Sequence, residues 1–166
     1  MTVWLISAGG SGDPYLPAFR EHKAAVFSYK EGGDISSLKT QEEIAARFAG
    51  KPYLDQVGKV IKTRSADKYA RELIKIRSGV ERGDYLYTPL KGGREFLIGR
   101  VKKNPYEYRP ENDIDHRHIL RTKWATPVLA AELGEELVPH LGTHRHTIRT
   151  PKEQQALTAF ADRLFA

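Results

Sequence analysis

Three groups of residues have types and spacings that could carry chemistry. Asp13, followed by Glu21-His22-Lys23, imitates the acid, acid-x-lysine arrangement with which a nuclease holds magnesium. Here the spacing straddles a loop and a short helix rather than a hairpin, so it carries little weight alone. His116-Arg117-His118 and His144-Arg145-His146 are two H-x-H pairs. On a strand, residues two apart share a face, so each pair could chelate a metal. No acid at a ligand spacing accompanies them, so solvated or phosphate-facing histidines are the expected reading. Gly9-Gly10-Ser11-Gly12 lacks the Lys-Ser/Thr of a Walker loop and the full G-x-G-x-x-G pattern, and reads as the lip of a pocket or a turn. There is no G-x-S-x-G, no H-E-x-x-H and no cysteine. We therefore expect a non-catalytic protein with no metal and no cofactor.

Aromatic and basic residues are more informative. Trp4, Tyr29, Tyr85, Tyr87, Tyr106, Tyr108 and Trp124 fall on or beside expected strands. They can fill a core with their hydroxyls satisfied at its rim. Two or three of them can instead wall a pocket that stacks a flat base. The formal charge is +6, and residues 51–82 hold nine bases against four acids, +5 of that excess. Lys68, Arg71 and Lys75 share one helical face; Arg117, Arg121 and Lys123 share one strand face. Both faces suit a phosphate backbone, or simply solvent.

The elements that would position these groups can be read along the chain. Val3-Trp4-Leu5-Ile6 is a buried first strand that stops at the glycine loop. Asp13-Pro14 offers a helix start that Pro17 keeps short. Residues 24–29 form a second strand, broken by Gly32-Gly33. Thr40-Gln41-Glu42-Glu43 is a capping box, with Ile44 and Phe48 facing inward. Residues 66–77 are amphipathic, with Ala66, Tyr69, Ala70, Leu73 and Ile76 on the buried stripe. Residues 85–88 and 94–102 form a hairpin around Lys91-Gly92-Gly93, and Gly99 marks a bulge or a close backbone approach. Residues 115–124 form a further strand, and 127–137 give one or two helical turns. Thr150-Pro151-Lys152-Glu153 is a second capping box, opening a last helix with Ala156, Leu157, Phe160 and Leu164 on one face. This order argues against a doubly wound sheet and favours a compact α+β barrel.

A chain of 166 residues and 18.8 kDa suits one domain and can bury roughly 70% of its unfolded surface. The absence of cysteine excludes a disulfide framework and fits a reducing compartment. No apolar run approaches the ~20 residues of a membrane span. The N-terminus lacks the basic and apolar regions of a signal peptide, so a cytoplasmic protein without membrane partners is expected.

Several of these segments, in order, resemble the N-terminal PUA-like (EVE-like) domain of Mrr-type restriction-system proteins. Val3-Trp4-Leu5-Ile6-Ser7-Ala8-Gly9 resembles that family's "vWmvRAG". Val26-Phe27-Ser28-Tyr29 with Gly33-Asp34-Ile35-Ser36 resembles "IGW…gDls". Arg82-Gly83-Asp84-Tyr85-Leu86-Tyr87 and Glu95-Phe96-Leu97-Ile98-Gly99-Arg100-Val101 resemble "GDlVvt" and "eYliGeV". Asn104-Pro105-Tyr106-Glu107-Tyr108, His118-Ile119-Leu120-Arg121-Thr122-Lys123-Trp124 and Leu141-Gly142-Thr143 resemble "dYeY", "HiRkVkW" and "LGs". The likeness covers roughly residues 2–148. Ser7 stands where the family has Arg, Tyr29 where it has Trp, and Leu120 where it has Arg.

The resemblance implies a PUA-like (EVE-like) β-barrel with flanking helices over residues 1–150. Residues 151–166 would be a C-terminal helix, placed to open a linker to an effector domain. It also implies a module that reads a modified cytosine flipped out of double-stranded DNA, as the sensor of a modification-dependent restriction or defence nuclease. A nuclease domain or subunit is then the second expected partner. Trp4, Tyr29 and Trp124 would wall the base pocket. Ser7, Ala8 and Gly9 would meet the base edge, and Asp34 would accept from an exocyclic amine. Lys68, Arg71, Lys75, Arg117, Arg121 and Lys123 would hold phosphates. Related barrels bind RNA, so an RNA-binding module stays open, as does a protein-interaction domain.

Overall fold

The structure, a computed structural model, describes residues 1–141 and 147–166. The chain runs through β1 (Val3–Ile6), α1 (Leu16–His22), β2 (Ala24–Phe27), α2 (Gln41–Phe48) and α3 (Thr63–Ile74). It continues through β3 (Tyr85–Leu90), β4 (Glu95–Tyr108), β5 (His118–Trp124), β6 (Val128–Leu129), α4 (Ala130–Leu133), β7 (Ile148–Arg149) and α5 (Gln154–Leu164). The strands form one mixed sheet ordered β2-β5-β4-β3-β1-β7, with β6 paired to β4. β1 and β3 are parallel, and residues 7–84, with α1 to α3, make the crossover such a pair needs.

At β1 both faces of the sheet are covered, which is why this strand is apolar throughout. Successive residues point to opposite faces. Trp4 and Ile6 join Phe19, Ile44, Phe48, Ala66, Ala70 and Leu73, from α1, α2 and α3. Val3 and Leu5 join Tyr85, Tyr87, Phe96 and Ile98 under Leu133, Leu157 and Ala161, from α4 and α5. So α5 is packed on the sheet as part of this body.

The α+β class is as expected; a closed barrel is not reached. Among the described residues, β2 and β7 remain edges, and no ladder joins them. Gly99 is a close approach: a Cβ there would lie 2.3 Å from Thr122 Cγ2 and 2.5 Å from Trp124 Cε3. The Thr40–Glu43 capping box forms as expected. The second one does not, and α5 starts at Gln154 without a side-chain cap. Gln154 instead behaves as a strand neighbour. Its side-chain oxygen accepts from Val3 N at 2.7 Å, and its amide donates to Val3 O at 2.9 Å. β4 runs six residues past its expected end at 102, through Pro105, because an irregularity between Val101 and Tyr106 absorbs the proline.

Candidate nucleic-acid interface

The two ends of the strand order, far apart along the ladder, face each other across a cleft of about 200 Å³. One wall is Val26, Phe27, Ser28 and Tyr29, from edge strand β2 and the two residues beyond it. The other is Ser7 and Thr147, at the ends of β1 and β7, joined by Ser7 N donating to Thr147 O at 3.1 Å. Gly9 and Tyr15 complete the lining. Gly9 has φ +90°, and a Cβ there would sit 2.8 Å from Pro14 Cγ and 2.9 Å from Tyr15 Cγ, so the position requires glycine. Drug-sized ligands occupy pockets of about 300–1,000 Å³, so this cleft suits one small flat ring.

Tyr29 is the best-positioned residue of the cleft. Its φ is +38°, a left-handed conformation that non-glycine residues adopt at a cost of about 1–3 kcal/mol. What holds it there is the side chain. The hydroxyl donates a short hydrogen bond to the carboxylate of Glu72, and the ring meets Tyr69 and His118 edge-on, with centroids at 5.8 and 6.4 Å. The other Glu72 oxygen accepts from Thr147 N at 3.2 Å. Glu72 is only 4% exposed, so one buried carboxylate from α3 ties together the two walls of the cleft. Burial, then the Glu72 charge, push the Tyr29 hydroxyl well above its ordinary pKa, so it stays a donor. Ser28 donates to Asp115 at 2.9 Å, and Lys30 reaches the same carboxylate at 3.0 Å, which fixes the polar side.

Two further clefts adjoin. One of about 350 Å³ shares Ser7 and runs between residues 10–13 and the turn at Gly92 and Gly93. Asp13 accepts from Lys91 N at 2.8 Å and holds these two loops together. Another of about 220 Å³ shares Ser28 and Tyr29 and is lined by Tyr53, Asp55, Gln56 and Tyr69. Tyr29 is thus a partition between two cavities.

Of the residues expected at the pocket, the structure brings together Ser7, Gly9 and Tyr29. Ala8 is buried and lines the adjoining glycine-rich cleft. Trp4 is elsewhere: it is a core residue whose indole N–H donates to Asp84 at 2.9 Å. Trp124 stacks on Phe19 at 5.3 Å and donates to the Phe19 carbonyl. Asp34 is exposed, and its carboxylate accepts from Ser36. The short-range demand of each polar atom for a partner has overridden a pocket role for these three.

Lys68, Arg71 and Lys75 are exposed along α3 and its π-helical extension. Arg121 and Lys123 are exposed on β5. Arg117 precedes β5, half-buried, with its Nε bonded to the Asn112 carbonyl. The strand face is more basic than expected. Lys123 lies directly opposite Arg100, and the irregular stretch of β4 facing Arg121 carries Lys102 and Lys103, all exposed. No ion pair among the described residues involves these five. Like charges set opposite one another repel, and an anion relieves that repulsion.

Sequence reasoning missed Tyr15, Ser28, Glu72 and Thr147. Glu72 had a signal: it follows Tyr69 by three and precedes Ile76 by four, on the flank of the buried stripe.

Among the described residues, neither the acid–lysine set nor the His116–His118 pair is assembled, whereas the Gly9–Gly12 loop lines clefts as the expected lip of a pocket. Asp13 lies before α1, bonded to Lys91, while Glu21 is exposed and Lys23 caps the far end of that helix. His116 sits in a 3₁₀ turn rather than on a strand and meets Tyr15 edge-on, whereas His118 is buried among Tyr29, Tyr106 and Tyr108. His144-Arg145-His146, like Gly142 and Thr143, lie outside the described residues. Among the described residues, no group of three or more acids and histidines is placed to hold a metal. No helix among them is long and apolar enough to cross a membrane. Comparison of the chain with known protein families, characterised proteins and solved structures finds no match.

Proposed function

We propose that this chain is a PUA-like module that reads a modified cytosine flipped out of DNA, as the sensor of a defence nuclease. The observation that carries the reading is the cleft between the two sheet edges, walled by a Tyr29 ring that Glu72 holds in place. Extruding a base costs a few kcal/mol of unstacking. Stacking on an aromatic ring returns about 1–3 kcal/mol per base. Hydrogen bonds from the Ser7 hydroxyl and the main chain around Gly9 to the base edge, with Ser28 Oγ as an acceptor, supply the remainder and the discrimination. The exposed bases of α3 and of the β4–β5 face lie along phosphates, giving affinity without sequence preference.

The test is binding to one labelled duplex in unmodified, 5-methylcytosine and 5-hydroxymethylcytosine forms, at two salt concentrations, with the matching RNA as competitor. The reading expects tighter binding to one modified form, and loss of that preference in Tyr29→Ala. Equal, salt-sensitive binding to all forms refutes base reading. Preference for the RNA moves the module to the RNA-binding class, and no binding at low salt moves it to a protein partner.

A further inference from the structure

Residues 51–61 form a hydrogen-bonded hairpin whose tip side chain, Val57, is fully exposed. Gly50 N donates to Ile61 O and Ile61 N to Lys51 O, both at 2.8 Å, Pro52 bridges Val60, and Tyr53 N donates to Lys59 O at 3.0 Å. The tip is a tight turn, Gln56-Val57-Gly58-Lys59, closed by Lys59 N donating to Gln56 O at 3.3 Å, with Gly58 at φ +77° in the third position. Three aliphatic side chains point to solvent from this hairpin: Val57 is 103% exposed, Leu54 59% and Val60 54%. Around them Lys51, Lys59, Lys62 and Arg64 are exposed. The one acid of the hairpin, Asp55, is paired with Lys30 at 3.5 Å.

This apolar tip is clamped beside Tyr29. The Tyr53 hydroxyl meets the Tyr69 hydroxyl at 3.1 Å, and Leu54 N donates to Glu31 at 3.4 Å. Tyr53, Asp55 and Gln56 line the cleft of which Tyr29 is the other wall. Val57 is the next residue after that lining. A tip whose turn and flanking strands are hydrogen-bonded to each other has fewer conformations to lose on meeting a target.

We infer that this hairpin is a wedge that enters the duplex when the base leaves it, with Val57 filling the space vacated in the stack. The inference rests on the base-reading proposal, because only an extruded base leaves such a space. An aliphatic side chain between base steps offsets the lost stacking. Gln56, with two donors and one acceptor on its amide, can meet the edge of the base left without a partner. The lysines of the hairpin meet the phosphates on either side of the opening. An apolar tip on a hairpin whose strands and exit carry the exposed bases Lys51, Lys59, Lys62 and Arg64 has charge complementarity to a duplex, whose surface is anionic and whose interior is apolar.

Val57→Ser is the variant of choice, since a fully exposed side chain leaves the fold untouched. It is compared with wild type and Tyr29→Ala on the three duplexes above and on the same strands unpaired, with 2-aminopurine beside the target cytosine. The wedge expects Val57→Ser to weaken binding to the preferred duplex tenfold or more, to weaken the unpaired strand less than twofold, and to lose the 2-aminopurine rise on the duplex. Equal weakening on both substrates overturns it. So does unchanged duplex binding by Val57→Ser while Tyr29→Ala loses base preference, an outcome in which base reading survives alone. Wild-type protein that binds no duplex, or binds all three without a 2-aminopurine rise, overturns both. Vesicles of phosphatidylserine that bind wild type but not Val57→Ser, with duplex binding unaffected, identify a membrane-seeking tip and overturn the wedge.

Discussion

Lowering the pH from 7.5 to 5 should remove about 2 kcal/mol of folding stability through His118 alone. His118 is 1% exposed, its Nδ1 sits 2.9 Å from the Tyr106 hydroxyl, and three tyrosine rings surround it. Burial lowers its pKa to about 4, against a smaller opposing pull from the Tyr29 main chain and the Asp34 carboxylate. In the unfolded chain the value is about 6.5. The folded state therefore refuses a proton that the unfolded state accepts. The contribution is fully present above pH 6.5 and is lost as pH falls from there through 4, with a ceiling of about 3 kcal/mol. At pH 5 the unfolded histidine is about 97% protonated and the folded one about 9%, which gives the 2 kcal/mol. The assay is urea denaturation of wild type and His118→Gln at pH 7.5 and 5. Other titrating groups are common to both proteins and cancel. Wild type should lose about 2 kcal/mol more than the variant, a midpoint difference near 1 M at a slope of about 2 kcal/mol/M. Parallel losses in the two proteins would refute the assignment of a buried, neutral His118.

Three further outcomes follow from packing and hydrogen bonds. Gly99→Ala forces a Cβ into Thr122 and Trp124, and should cost about 1–3 kcal/mol or more in chemical denaturation. Tyr29→Phe removes a donor from buried Glu72 and should lower stability by about 1–3 kcal/mol in the same assay, while keeping the ring and any base preference. Gln154→Ala strips both side-chain bonds from Val3, and should speed amide exchange at Val3 and lower the melting temperature by a few degrees, from a loss of about 1–2 kcal/mol.

Elements governed by local rules were legible in the sequence. The apolar run of β1, the Thr40 capping box and the amphipathic stripe of α3 follow from neighbours along the chain or a simple period, and a glycine inside a strand pattern marks Gly99, though not its partners Thr122 and Trp124. Features governed by distant partners were not. Gln154 reads as a helix residue, yet Val3, 151 positions away, decides what it does. The continuation of β4 through Pro105 depends on the irregular pairing with β5. At the cleft, Gly9 and Tyr29 were legible as a loop glycine and a strand-end aromatic, Ser7 came from the resemblance, and Trp4 and Trp124 show how an aromatic on a strand is core unless geometry says otherwise. For Glu72 the helix period signals a place beside the buried stripe but not a role, because its partners, Tyr29 and Thr147, are brought over it only by the fold.

The place of β1 has a consequence for biosynthesis. β1 is translated before both of its neighbours, β3 and β7, and its Val3 is completed by Gln154. At about 5–20 residues per second, roughly 8–30 s separate the appearance of β1 from that of its last neighbours. Through that interval Val3-Trp4-Leu5-Ile6 is an apolar edge exposed to the crowded cell, the kind of segment that chaperones shield. Maturation of this protein is therefore paced by the ribosome, and slowing elongation late in the message should raise the aggregated fraction more than slowing it early.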